Sequence, residues 1–481
     1  MLIVSIEENG ARALTRPVAG VGLLVSVLAS SSIGVVVGFA AGLVPGLHMN
    51  NIAAAVSAYT GLAAATLALI GHLVSPTEVA IVLACFVSAA MVAHLFACAI
   101  PSTYVGVPAE DVVSVLPAHR LAKAGLGRVA VVSSADGSLG GIVLSVALLV
   151  PMCLLMGPPF EVYRLLRVAM LPIIVVFTAI LLLSEGHRHR CMDARRARLV
   201  RVVKGLVVFA SSGILGFVVL KSGYCSSIIP DFPWMTHGFV PKSSLLLPMF
   251  AGLFGIPGLI LSLGSRSVVD LPSMSCPSFH HSPSSRDLLV SVFGGTIVGW
   301  MPGMTSGSAV TLCSPRTQEV GGDDSIASAA GFIWLYSAIS SSGAVFAVGA
   351  LFTIMHARSG SMDAIASLMG MQIVERGFLG NALALSSIAL SMVISSMVCH
   401  HLLMRMSGRL AKVRWLLTSR ALAACSLLFV CALTVYLTGS RGALLMATAV
   451  PLGLIPPLTG VRRIQLMGCL LLPLMITLAG P

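Results

Sequence analysis

The chain has 481 residues, of which 57% are hydrophobic and 10% charged, with a formal net charge of +12 and a mean hydropathy of +0.99. Soluble domains carry about 25% charged residues, so this composition excludes a water-soluble enzyme or binding domain and describes an all-α polytopic membrane protein. The positive charge does not point to nucleic acid, because the cations gather in short stretches: 188–204 holds seven Lys or Arg against one acid, Asp193, and 405–420 holds five against none.

By the positive-inside rule the loops 187–204 and 405–420 are expected at the cytoplasmic face of the cell membrane. The N-terminus, with Glu7, Glu8, Arg12 and Arg16 and no cleavable signal pattern, is expected on the same side. Apolar runs near or above the roughly 18–20 residues that cross hydrocarbon predict about ten to twelve membrane segments, half-helices included. The eleven cysteines show no C-x-x-C pair and no zinc spacing. They read as small packing residues, and neither a metal nor a cofactor is expected.

In chain order, the first interruption comes at 38–53, GFAAGLVPGLHMNNIA, inside an apolar run. Gly38, Gly42, Pro45 and Gly46 return 257 positions later as Gly295, Gly299, Pro302 and Gly303. Pro-Gly removes a backbone donor and frees the next residue to take positive φ, so each helix should break there. Broken backbone at membrane depth is tolerated where protein or a watery cavity satisfies it, and two breaks in corresponding halves point to a transporter's central site. His48, Asn50 and Asn51 follow the first break, where the N–H groups of a new half-helix suit an anion. Asn50 as a simple helix cap is the plainer alternative.

The run 79–100 is a span carrying His94. Residues 100–117, too polar to span, read as a second re-entrant or pocket-lining element with Ser102 and Asp111, and His119 and Arg120 begin its basic, surface end. The span 129–156 contains Asp136, which at depth must be paired, protonated or functional, the alternative being a place at the interface near the helix start. Another span ends near 183, and 205–220 and 244–263 follow. The polar stretch 265–286 reads as a junction between a first transmembrane repeat, 1–264, and a second, 287–481, the two expected to be inverted. His280 and His281 in it read as solvated.

The second interruption places Thr305, Ser306, Gly307 and Ser308 after Pro302-Gly303. Four full spans fit between the two basic loops, so 288–312 must return to its own side as a re-entrant hairpin. After the span 325–353 come Arg358, Ser359 and Asp363, in the place that the 101–123 element holds after the first break. The final spans are 421–439, 444–459 and 464–478.

These stretches resemble the large membrane subunit of tripartite tricarboxylate transporters, the TctA-like family. The likeness is carried by the two G-x-x-x-G-x-x-P-G segments, by IPS at 100–102, LPAHRLAKAGLG at 116–127, GSLGG at 137–141 and GLFGIPGL at 252–259, and by VRRIQLMGCLLLP near the end. PGLHMNN resembles an archaeal-type branch with PGLHxN. The resemblance implies a permease for a small organic anion of carboxylate type, with a small membrane subunit and a soluble binding protein as partners. Transport would be coupled to a cation, H+ or Na+. The substrate would bind between the two breaks, at Gly42, Pro45, Gly46, His48, Asn50 and Asn51 on one side and Gly299, Pro302, Gly303, Thr305, Ser306, Gly307 and Ser308 on the other. A translocase of polyprenyl or other lipid-linked phosphate is the alternative, because MPGMTSGSA also resembles a PG-S/T-GG-type repeat. A membrane enzyme is the third reading, and no HExxH, GxGD or GxxxxGK[S/T] motif favours it.

Overall fold

The computed structural model describes residues 2–44, 49, 52–53, 56, 76–106, 115–187, 195–221, 245–264, 282–301, 304–313, 326–370, 372–412 and 420–480. Every regular element among them is helical, as a chain must be when lipid offers its backbone no hydrogen bonds. Seven helices are long and apolar enough to cross a membrane, or eight if one bent pair counts as a span, and Pro248–Gly264, Ala423–Tyr436 and Arg463–Ala479 are shorter apolar helices. The protein is an all-α polytopic membrane protein.

The first half begins with α1 (Leu2–Gly42), α2 (Pro76–Ala97) and the short α3 (Ala99–Tyr104), then α4 (Val115–Lys123) and α5 (Gly127–Ala147). The expected span 129–156 is two helices, α5 and α6 (Leu149–Met156). The next span is bent by 66° between α7 (Val162–Val168) and α8 (Met170–Ser184). Pro172 explains the bend, since it has no N–H to offer the carbonyl of Val168. α9 (Arg195–Lys221) starts earlier than the sequence reading placed it. Arg195–Lys204 belongs to this helix rather than to a loop, because Arg and Lys favour helix.

α10 (Leu246–Phe250) and α11 (Ile256–Gly264) are joined by a π turn, Ala251–Gly255, that falls on the GLFG sequence. The second half holds α12 (Ser285–Trp300), α13 (Ser306–Cys313), α14 (Ile326–Ile354), α15 (Gly360–Met369), α16 (Gln372–Gly380) and α17 (Ala382–Lys412). α12 opens on a reciprocal cap in which Ser284 and Asp287 satisfy each other's backbone N–H. α17 also runs into the expected loop at 405–420. α18 (Arg420–Thr459) is divided at Gly439, whose φ of +65° needs glycine, so two segments share one helix. α19 (Gly468–Ala479) closes the chain.

Two helices form the centre. In the spans led by α2 and α14, 83% and 78% of the most apolar window is buried, against 39% in the α1 span and 33% in the second part of α18. The outer helices turn apolar side chains outward, Leu24 and Val36 on α1 and Val207 and Ile214 on α9, as lipid-facing surface does. The two central helices have matching neighbours: α1 packs on α2 as α12 packs on α14, while α17 and α15 pack on α2 as α5 and α4 pack on α14. The helices that surround each centre after its first neighbour thus come from the other half of the sequence.

Direction can be read from the closest approaches. Gly34 lies against Phe86, Gly38 against Ala90, and Gly42 against Ala97; Gly295 lies against Ser342 and Gly299 against Phe346. In both pairs the numbers rise together, so α1 runs parallel to α2 and α12 runs parallel to α14. In the second half Ala309 and Val310 of α13 belong to one apolar cluster with Trp334, Tyr336, Leu288 and Val290.

Candidate functional site

The first interrupted segment is held by backbone contact. A Cβ placed on Gly38 would lie 2.0 Å from the carbonyl oxygen of Ala90, and one on Gly42 2.7 Å from the Cβ of Ala97. Close approach of this kind is what small residues give to helices in lipid. The last turn of α1 donates from Leu43 to Phe39 (3.2 Å) and from Val44 to Ala41 (3.0 Å). Pro45, Gly46, His48, Asn50 and Asn51 lie outside the described residues. Met49 and Ala53, which are described, are 2% and 0% exposed and belong to the main core together with Phe39, Trp300 and Phe346. The segments leading into both breaks thus abut one core.

The second segment repeats the glycine contact, with a Cβ on Gly295 2.3 Å from that of Ser342 and one on Gly299 2.5 Å from that of Phe346. Met301 turns to extended backbone and ends α12. Pro302 and Gly303 lie outside the described residues. Beyond them Thr305 caps α13: its hydroxyl accepts from the Ser308 N–H (3.2 Å) and shares a hydrogen bond with the Ser308 hydroxyl (2.9 Å). Ser306 and Ser308 are 7% and 1% exposed, and Gly307 is buried between them.

Arg358 reaches this break. Its guanidinium donates to the carbonyl of Met304, the residue following Pro302-Gly303. Arg358 stands in the segment between α14 and α15, where Met355 takes φ +56°. Neighbouring Ser359 serves as the N-cap of α15, accepting from the Met362 N–H at 3.3 Å. Asp363 lies exposed in the first turn of α15. Burial, reinforced by the Arg358 charge, lowers the pKa of His356 and favours a neutral imidazole. The fixed charge beside the second break is therefore positive.

Other sequence candidates lie apart from this cluster. Ser102 is buried in α3. His119 donates from Nδ1 to the Thr103 carbonyl (3.0 Å) and covers Gly106, whose φ is +75°. Burial lowers the His119 pKa, Lys123 pushes the same way, and the Thr103 bond opposes them. Arg120 is exposed, and Asp111 lies outside the described residues. Asp136, near the middle of α5, meets His400 of α17 at 2.8 Å, with both side chains about four-fifths buried. The paired alternative is the one observed.

Three features had no signal that a linear reading could use. His400 is 264 positions from Asp136. Trp300, fully buried immediately before the second break, has an indole N–H with no acceptor among the described residues. Glu185, 2% exposed, accepts from the Arg462 N–H (3.2 Å) and from Gln465 Nε2 (3.1 Å), which also reaches the Leu181 carbonyl. The VRRIQ sequence near the end thus ties α8 to the start of α19.

A helical bundle centred on two helices, each packed against an apolar helix that precedes it in sequence and runs parallel to it, is a polytopic membrane protein. A family model described as "Tripartite tricarboxylate transporter TctA family" matches residues 28–468, and the chain belongs to that family. An uncharacterized protein of Methanocaldococcus jannaschii is 28% identical over 294 residues, covering 60% of this chain and 61% of that protein. The matched stretch is thus about three-fifths of that relative's length. No solved structure matches the chain.

Proposed function

We propose that this protein is a secondary active permease for a small organic anion of carboxylate type, and that the two Pro-Gly breaks, 257 residues apart, form its binding site. The supporting observation is the repeated setting of the breaks: each follows a glycine pair pressed onto a central helix, and each is followed in the sequence by polar residues. Arg358 adds a fixed positive charge at the second turn, suited to a carboxylate. The repeats are 1–264 and 287–481, joined by the polar stretch 265–286 and inverted with respect to one another. Each break belongs to a re-entrant hairpin. His48, Asn50 and Asn51 face Thr305, Ser306 and Ser308 across the site, Arg358 completes it, and a cation supplies the driving force. The N-terminus and the basic stretches 187–204 and 405–420 face the cytoplasm. A small membrane subunit and a soluble binding protein, the partners usual for the family, deliver the substrate.

The test is thermal stabilisation of the purified protein by mono-, di- and tricarboxylates, inorganic phosphate and a polyprenyl phosphate. A true ligand at 100 times its dissociation constant adds about 2.7 kcal/mol. Stabilisation by a carboxylate that depends on Arg358 is the expected result. Stabilisation by the polyprenyl phosphate with none by any carboxylate would overturn the reading in favour of a lipid-phosphate translocase.

A further inference from the structure

The described helices sort into two sets by what they pack against. α1–α6 and α12–α17 pack on one another, and so do α8–α11, α18 and α19, while a helix of one set touches a helix of the other at most marginally. The division cuts across the two halves of the sequence, since each half supplies helices to both sets. α7 bridges them: it packs on α6 and on α8, and it meets α8 at the 66° bend.

Each set is locked internally. In the first, α5 meets α14 so closely that a Cβ on Gly137 would lie 2.2 Å from the carbonyl oxygen of Trp334. Buried polar pairs reinforce it: Ser31 with Ser391 (2.8 Å), Ser134 with Ser337 (2.9 Å) and Asp136 with His400 (2.8 Å). In the second, a Cβ on Gly216 of α9 would lie 1.8 Å from the Cys469 carbonyl oxygen, and one on Gly453 of α18 2.3 Å from that of Leu253. There Gln465 also donates to buried Glu185 (3.1 Å). Close backbone approach and interhelical hydrogen bonds are what hold helices together in lipid. Among the described residues, none of these glycine approaches crosses from one set to the other.

Between the sets the contact is apolar side chain on apolar side chain. Met301 and Met304, beside the second break, join Met170, Ile174 and Phe177 of α8 and Met467 in one cluster. Val105, which follows α3, joins Leu259 of α11 and Ala423 of α18 in another. The Ser262 hydroxyl donates across that second contact to the Val105 carbonyl at 3.4 Å, longer than an O–H···O bond usually is. Methionine re-packs against a displaced neighbour, and packed helices without interlocked backbone can shear. We infer that the protein moves as two bodies, the first set carrying the helices that lead into both breaks past the second set, with α7 as the link. The division stands without the permease reading; the use of the motion, to present the site to either side of the membrane, rests on it.

The experiment measures distances between spin labels on the full-length protein in phospholipid vesicles, in a variant lacking the eleven native cysteines and with no carboxylate added. Labelled cysteines replace exposed residues: Leu289 and Leu458 across the sets, Val25 and Leu289 within the first, Leu199 and Leu458 within the second. The pair across the sets should show two populations separated by at least about 5 Å, one turn of helix. Each pair within a set should show a single narrow one. A disulfide between Val105→Cys and Ser262→Cys, formed before labelling, should leave the crossing pair with one population, whereas one between Ser31→Cys and Ser391→Cys, inside the first set, should leave both. A single narrow population for the crossing pair, or equal spread in all three pairs, would overturn the two bodies, and if a disulfide variant fails to fold the three distances still decide. Failure of the carboxylate reading would leave these distances unchanged, so the two ideas fall separately.

Discussion

The two G-x-x-x-G segments share their spacing and differ in what they press against. Gly38 meets backbone: the nearest atoms to its missing Cβ are the carbonyl oxygen, carbonyl carbon and Cα of Ala90. Gly295 meets a side chain, the Cβ of Ser342, with backbone no closer than 3.1 Å. One contact is between main chains that no substitution can thin, and the other includes an atom that substitution can remove. The turns beyond them also differ. The second is fixed by Arg358, while His48, Asn50 and Asn51 after the first carry no permanent charge. Repetition in sequence has preserved the approach of the helices and left the chemistry at their ends free to diverge.

The largest effect should come from enlarging the glycines. Gly38→Ala should reduce folded yield and melting temperature more than Gly295→Ala, for which overpacking predicts a loss of about 1–3 kcal/mol. Ser342→Gly should restore much of the stability of Gly295→Ala, whereas Ala90→Gly should not restore Gly38→Ala, because the obstacle there is a carbonyl oxygen. Equal rescue in both pairs would erase the distinction between the two contacts.

Next in size is Arg358. Replacing it by Ala removes the charge at the second break and leaves the Met304 carbonyl without this donor. Carboxylate affinity should fall about five- to 150-fold, corresponding to about 1–3 kcal/mol. Arg358→Lys should recover part of the loss, since a lysine keeps the charge and loses the planar fork. Ligand titration followed by melting measures both, and parental affinity in Arg358→Ala would remove the positive charge from the site.

The Asp136–His400 contact joins α5 to α17 and hence the two halves. Asp136→Asn and His400→Gln in a double-mutant cycle should show a coupling of about 0.5–3 kcal/mol, read from denaturation midpoints. Additive losses would mean that the contact at 2.8 Å contributes nothing as a pair. The smallest effect belongs to Trp300→Phe, which keeps an aromatic ring and removes an N–H that has no acceptor among the described residues. Its stability should change by less than about 1 kcal/mol. A larger loss would reveal a partner for that N–H.

The spans and the second interruption, where Met301 turns extended and a new helix starts at Ser306, were legible because membrane burial leaves long apolar runs and Pro-Gly has a local meaning. Thr305 and Ser359 were legible as polar residues at breaks, though the structure shows both working as helix caps. Long-range pairing was hidden: nothing near Asp136 points to His400, and nothing near Glu185 points to Gln465. Helix ends were misjudged where charge was read as loop, at Arg195–Lys204 and at the end of α17, because a basic helix end that emerges from lipid resembles a loop in hydropathy. The bend between α7 and α8 was missed although Pro172 marks it, since the apolar run continues through the break.

The central claim is that the two interruptions share one binding site. Cysteines placed at Asn50 and Ser306, in a variant lacking the eleven native cysteines, test it most directly with a short bifunctional thiol reagent. The account predicts cross-linking that a stabilising carboxylate suppresses, together with non-additive affinity losses for His48→Ala and Ser306→Ala. Failure to cross-link, with strictly additive losses, would contradict it.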